Sequence, residues 1–451
     1  MRKVVLIFFI VVMAFACKKA KQEINLCDYE AIIARDTLVA ATLYGSSSYF
    51  TFKDEAMGFD YELCAQFAQA HNLVLKMIVA SSEPELIELL KNDAVDLVAY
   101  RLSVRNELKS SLLYIDNEYI NNQVLIQRNA KSMISSVVDL IGKELVVLPG
   151  TKYEERMHNL NDELGGGILI KQANDTLTID NLIEMVSNGA IDYTVAENDI
   201  ALLNKTYFHN LDCKISVSFN QRAAWAVPKS CPALKDTLNQ WFASEGERKH
   251  YDALYNKYFV RSKFFSDRKI HIPKGAISPY DKLFKQYALL LGWDWELLAA
   301  QCYAESKFDS SAVSWAGARG VMQLMPRTAA GLGLNDSSVS NPAANIEAAT
   351  RYIKILDRRF WKITDRQERI KFVLASYNAG DGHITDAMAL AEKYGKNPHI
   401  WHDNVETYML LKSQKEYYAD PIVKHGYFRG KETSHYVREV QEKYEKYKRR
   451  K

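Results

Sequence analysis

Of the 55 acidic residues in this 451-residue sequence, Glu305 occupies a position that would change what a carboxylate can do. The run from Asp294 through Glu296, Leu297, Leu298, Gln301 and Cys302 reads as a helix, and Glu305 falls at its C-terminal end on the stripe of Leu298 and Cys302. Burial against apolar side chains and the negative end of a helix dipole both disfavour the charged form, so this placement predicts a raised pKa. A carboxylic acid kept protonated near neutral pH can give a proton to a leaving oxygen, the first requirement of glycosidic cleavage. Position alone does not single it out, because a lone glutamate at a helix end is ordinarily solvated. The nearest carboxylate in sequence, Asp309 in Phe308-Asp309-Ser310-Ser311, has the setting of a turn. His399 and His402 form an H-x-x-H without a third ligand, and the cysteines show no C-x-x-C spacing, so neither a metal nor another cofactor is expected.

The elements that must hold Glu305 form a helical region. Ser278 and Pro279 read as a helix start, Tyr280, Leu283, Phe284 and Tyr287 as its apolar face, and Gly292 as its stop. Upstream the pattern changes. Short β-rich runs (Leu38 to Thr42, Val74 to Val79, Leu97 to Tyr100, Val124 to Gln127, Leu145 to Leu148, Tyr193 to Ala196, Ala224 to Val227) alternate with helical periodicity such as Tyr61, Cys64, Ala65 and Ala68. The expectation is two domains: a largely parallel α/β domain over 25–262 and a mostly helical one over 278–451, with a mixed polar and basic linker over 263–277.

The helical region carries four motifs in order. They are Ala304-Glu305-Ser306-Lys307-Phe308, then Ser314-Trp315-Ala316-Gly317-Ala318-Arg319-Gly320-Val321-Met322-Gln323-Leu324-Met325-Pro326, then Ala375-Ser376-Tyr377-Asn378-Ala379-Gly380, and Glu432-Thr433-Ser434-His435-Tyr436-Val437. Together they closely resemble the soluble lytic transglycosylase family; the last match is looser, since an arginine common after Glu-Thr is Ser434 here. The resemblance implies a mostly α, lysozyme-like (α+β) catalytic domain with Glu305 as the single catalytic acid and base. It also implies Ser306, Gln323, Tyr377, Asn378 and Tyr436 as substrate-binding residues, and cleavage of peptidoglycan strands to 1,6-anhydro ends. Two other readings remain: a hydrolytic, lysozyme-like muramidase, and a sensor whose murein-binding domain is inert.

The α/β region carries Gly58-Phe59-Asp60-Tyr61-Glu62-Leu63, Val95-Asp96-Leu97, Leu140-Ile141-Gly142-Lys143 and Gly150-Thr151. These resemble extracellular solute-binding proteins for amino acids. The likeness implies a two-lobed periplasmic-binding-protein-like fold with hinges near Leu125 to Arg128 and Trp225 to Pro228. It places Arg105 at a ligand carboxylate, Glu197 at a ligand ammonium and Thr151 at a helix N-terminus that favours anions, with an amino acid or muropeptide as the ligand.

At the N-terminus, Arg2 and Lys3 precede an apolar run from Val4 to Phe15 that is too short to span a bilayer. It ends in Ala14-Phe15-Ala16-Cys17, which resembles a bacterial lipoprotein signal. The implied products are a cleaved signal over 1–16, lipidation at Cys17, a tether over 17–24 and an outer-membrane lipoprotein facing the periplasm. Such an export route makes a disulfide conceivable, and Cys213 with Cys231 is the pair nearest in sequence. A net charge of +3 with 25% charged and 48% hydrophobic residues is ordinary for a globular chain and gives no footprint for nucleic acid.

Overall fold

The computed structural model describes residues 29–117, 119–130, 133–174, 177–260 and 270–450. The signal and tether, Cys17, and residues 263–269 of the linker lie outside them.

Each β-rich run becomes a strand. Thr37–Leu43 lies parallel to Val74–Ala80 and to Leu97–Ser103, with the helices Phe59–Ala70 and Glu83–Lys91 between them in the chain. The sheet is mixed rather than largely parallel. Gln221–Pro228 returns antiparallel to Leu97–Ser103 and also pairs with Leu112–Tyr114 and Tyr119–Asn121. This first lobe is thus built from two distant stretches of chain. The second lobe holds Gln123–Arg128 antiparallel to Thr194–Glu197 and Leu211–Asp212, with Glu144–Val147 parallel to Leu169–Gln172. The chain passes between lobes at Asn122 and again just before Gln221, a few residues ahead of the hinges expected from sequence. Cys213 and Cys231 lie buried in different lobes, so the conceivable disulfide between them is not formed.

Among the described residues six short strands escaped the sequence pattern, and two of them form a hairpin. Phe50–Phe52 and Glu55–Met57 pair as a hairpin whose tip, Lys53-Asp54, has positive φ at both residues (49° and 60°). A two-residue turn of that kind ordinarily takes Asn-Gly, because side chains are strained there.

Beyond residue 270 the described structure is helical, and its β component is reduced to isolated bridges such as Val313 with Arg319 and Arg319 with Leu324. Asp281–Leu291 ends at Gly292, which takes the left-handed φ of 63° that a helix stop requires. Ser278 comes three residues before the helix proper, and its backbone and hydroxyl both donate to Asp281. Trp295–Ser306 follows. It packs on Asp281–Leu291 and on the terminal helix Lys431–Lys448, while Pro342–Arg359 and Arg366–Ala379 complete the core.

Candidate active site

Trp295–Ser306 is buried nearly all round, including Glu296, Gln301, Cys302 and Glu305. A helix of this kind delivers its last carboxylate into the protein, and Glu305 is 5% exposed. Burial raises its pKa, opposed by Lys53 and by a hydrogen bond from Tyr436. The Tyr436 hydroxyl donates to Glu305 Oε1 at 2.6 Å from the helix Lys431–Lys448, more than a hundred residues downstream.

The loop between Ser306 and Pro326 is tied down by its own polar groups. Ser306 donates to the Val321 carbonyl at 2.7 Å, and Asn345 accepts from Met322 N at 2.8 Å and donates to Val339 O at 2.9 Å. Gly320 sits at φ 79°, and a Cβ there would stand 2.5 Å from both Asn345 Nδ2 and Val339 O, so only glycine fits. Gln323 donates its amide to Ala312 O and Gly320 O, leaving Oε1 buried without a partner among the described residues. Tyr377 is 2% exposed and its hydroxyl donates to Met322 O at 2.7 Å. Asn378 accepts from Thr433 at 2.7 Å. The structure therefore brings Glu305, Gln323, Tyr377 and Tyr436 close together, with Asn378 next to Tyr377 in the chain. Ser306 is a partial exception, because its hydroxyl is committed to backbone carbonyls.

The sequence reading missed a cation that stands among them. Lys53, at the hairpin tip of the first lobe, puts its ammonium 3.6 Å from Glu305 Oε2, 3.5 Å from the Gln323 carbonyl and 5.6 Å from the centre of the Tyr377 ring. Lys53 N donates to Ala379 O at 3.0 Å, and the Asp54 carboxylate lies against Gly380 and accepts from the Gly382 backbone. His383 supplies another anchor. Lys412, itself buried and paired with Asp386 at 2.7 Å, has only protons to offer, so His383 Nδ1 accepts from it at 3.0 Å. The remaining ring proton then sits on Nε2, which donates to the Thr51 carbonyl of the hairpin at 3.1 Å. Phe50 and Phe52 pack on Trp315 with ring centres 6.4 and 5.6 Å away.

In the N-terminal domain, the expected ligand residues are not brought together. Arg105 precedes the 3-10 turn Asn106–Ser110, its side chain 47% exposed beside Glu107, because the strand Leu97–Ser103 has already ended. The guanidinium at the lobe boundary belongs to Arg101, 11% exposed and paired with Asp60 and Asp199. Glu197 is taken by Lys152 at 2.6 Å. Thr151 caps the helix Lys152–Glu163, accepting from Glu154 N and donating to Leu148 O.

Residues 282–400 match the transglycosylase SLT domain and residues 39–261 match bacterial extracellular solute-binding proteins, family 3. The membrane-bound lytic murein transglycosylase F of Aeromonas salmonicida is 32% identical over 425 residues, covering 92% of this chain and 83% of its own. The protein of the same name from Desulfosudis oleivorans is 31% identical over 407 residues, covering 89% and 88%. With both domains matched in order and relatives aligned across nearly the whole length, the chain belongs to the membrane-bound lytic murein transglycosylase F family.

Proposed function

We propose that this protein cleaves the β-1,4 bond between N-acetylmuramic acid and N-acetylglucosamine in peptidoglycan without water, leaving 1,6-anhydro ends. We propose also that its N-terminal domain controls entry to the groove. The observation that carries the chemistry is the buried Glu305 carboxyl held by Tyr436, with the Gln323 backbone carbonyl and the Tyr377 ring around the ammonium beside it. Asp309 is occupied within its own turn, accepting from the backbone and hydroxyl of Ser311. Most glycosidases that activate water or form a glycosyl-enzyme use two carboxylates flanking the same bond.

In this reading, protonated Glu305 gives its proton to the glycosidic oxygen as the C1–O bond breaks. The muramic 6-hydroxyl then attacks C1, and the Glu305 carboxylate takes that hydroxyl proton, which restores the acid. Tyr436 holds the carboxyl in place throughout. Gln323 offers its Oε1 and Asn378 its Nδ2 to the sugar and its acetamido group, Tyr377 forms the wall, and Ser306 fixes the loop that carries Gln323. Anchorage through a lipid on Cys17, in the outer membrane facing the periplasm, completes the proposal; among the described residues no helix is long and apolar enough to cross a membrane.

Control follows from Lys53. A sugar at the reacting position needs the space beside Glu305 that Lys53 occupies, so the hairpin must withdraw before substrate binds. A small ligand that shifts one lobe against the other would move the hairpin. The test is digestion of purified sacculi, with muropeptides identified by mass spectrometry, by the native protein and by Glu305→Gln. Anhydro products absent from the variant support the assignment; reducing-end products would replace it with a muramidase.

A further inference from the structure

The boundary between the two lobes of the N-terminal domain is where a ligand would enter, and it is filled. Arg101 leaves the strand Leu97–Ser103 of the first lobe and reaches Asp60, also of that lobe, with Nε at 3.5 Å from Oδ1. Its Nη1 donates to Asp199 of the second lobe, so one side chain joins the two bodies. The guanidinium lies 4.4 Å from the centre of the Tyr119 ring, with Phe59 at 5.2 Å and Phe259 at 5.6 Å.

Both carboxylates are oriented independently of Arg101. Trp225 Nε1 donates to Asp60 Oδ1 at 3.0 Å, and Asn121 Nδ2 donates to Asp199 Oδ1 at 2.7 Å. Two fixed carboxylates from opposite lobes, closed by aromatic faces, make a receptor for a planar cation, because such a cage satisfies in-plane N–H donors and a π face together. Arg101 Nη2 is buried without a partner among the described residues, beside a small cavity lined by Asn117, Tyr119, Phe242 and Tyr251. A purely structural ion pair would have no need of room beside it.

We infer that Arg101 is a built-in ligand of the interlobe cleft: the cleft is a site for an alkylguanidinium, and the protein's own side chain occupies it and holds the lobes together. The native chain then has no vacancy for a free α-amino acid, and an outside ligand acts on the lobes by displacing Arg101. This stands independently of the proposed reaction and is tested without any activity measurement.

The experiment compares the thermal midpoints of the full chain and of Arg101→Ala in methylguanidinium chloride, with sodium chloride at equal ionic strength as the control. The native protein should show no saturable shift with methylguanidinium or with free amino acids. Arg101→Ala should melt lower, and methylguanidinium should raise it saturably, by about 5 °C at a hundredfold excess over its dissociation constant. A saturable amino-acid shift in the native protein overturns the inference, as does a folded variant that methylguanidinium leaves unmoved. Should Arg101→Ala not fold, Asp199→Asn keeps the guanidinium and weakens only the bridge to the second lobe. Small-angle scattering of that variant should report a larger radius of gyration than native, and an unchanged radius would overturn the inference.

Discussion

The surroundings of Glu305 and the boundary between the two lobes each hold a cation from this chain's own sequence, but they hold it differently. Lys53 enters the groove from another domain on a strained hairpin tip and meets Glu305 at 3.6 Å, a separation at which both partners keep other contacts. Arg101 is clamped between two carboxylates, each steadied by a further donor. In the proposed reading Lys53 is a stopper that comes out, whereas Arg101 is a bolt. The difference follows from the side chains: an ammonium on a flexible stem is a point charge that leaves easily, and a guanidinium offers a rigid fork and a flat face.

Several measurements would break or sharpen this contrast. The largest effect belongs to Glu305→Gln, which keeps the shape and removes the proton: release of soluble muropeptides should fall about 10²–10⁴-fold, and a smaller loss would mean that another group supplies the proton. Next comes Arg101→Met, which leaves Asp60 and Asp199 facing each other without their cation. Denaturant unfolding should register a cost of about 3–5 kcal/mol. An unchanged midpoint would make Arg101 no more of a bolt than Lys53.

Lys53→Met should act in the opposite sense on activity, raising turnover several-fold by weakening the hold on the groove. Lys53 and the Tyr436 hydrogen bond both lower the Glu305 pKa against the rise that burial causes. In the proposed reaction, which begins with protonated Glu305, activity falls as pH rises through that pKa. Removing the ammonium should move the basic limb of the pH profile upward. Tyr436→Phe should shift that limb in the same direction while lowering turnover about tenfold, as expected when a hydrogen bond to a charged group worth about 1.5 kcal/mol is lost. A downward shift in either variant would contradict the assigned geometry.

The smallest effect is on stability against pH. A carboxyl with a raised folded-state pKa stabilises the fold fully below the ordinary carboxylate range, and that contribution is lost as pH rises through the raised value. Glu305→Gln should therefore flatten the decline of thermal stability on the alkaline side of the carboxylate range, and an equally steep decline would place its cause elsewhere.

The sequence was most legible where chemistry and periodicity coincide. Glu305 could be argued to be a buried acid from its stripe and its helix end, and the ordered motifs singled it out. The seven strand runs were visible because β-branched and leucine-rich segments alternate with helices. What stayed hidden depends on distance. The hairpin has three-residue strands and a Lys-Asp turn without glycine or asparagine, and the backbone that receives it, at Ala379 and His383, lies more than three hundred residues away. Arg101 left a fainter trace that was available: an arginine inside a strand, between Ala99 and Leu102, needs a partner, whereas Arg105 lies past the strand end, where solvent suffices.

The loop that carries Trp315 has consequences for anyone wishing to divide the molecule. Ala316, Ala318 and Met325 are buried in the apolar core of the first lobe, not in that of the helical domain, and Trp315 packs against the same core. Severing the chain in the linker would strip this loop of its cover and present its apolar side chains to water next to Glu305. A catalytic fragment made that way would trade the hairpin's obstruction for a sticky, loosened groove wall, so its activity would not measure release from inhibition. A graft of new binding specificity onto the first lobe has the matching restriction: the surface under the hairpin is a foundation of the neighbouring domain and must be carried over unchanged.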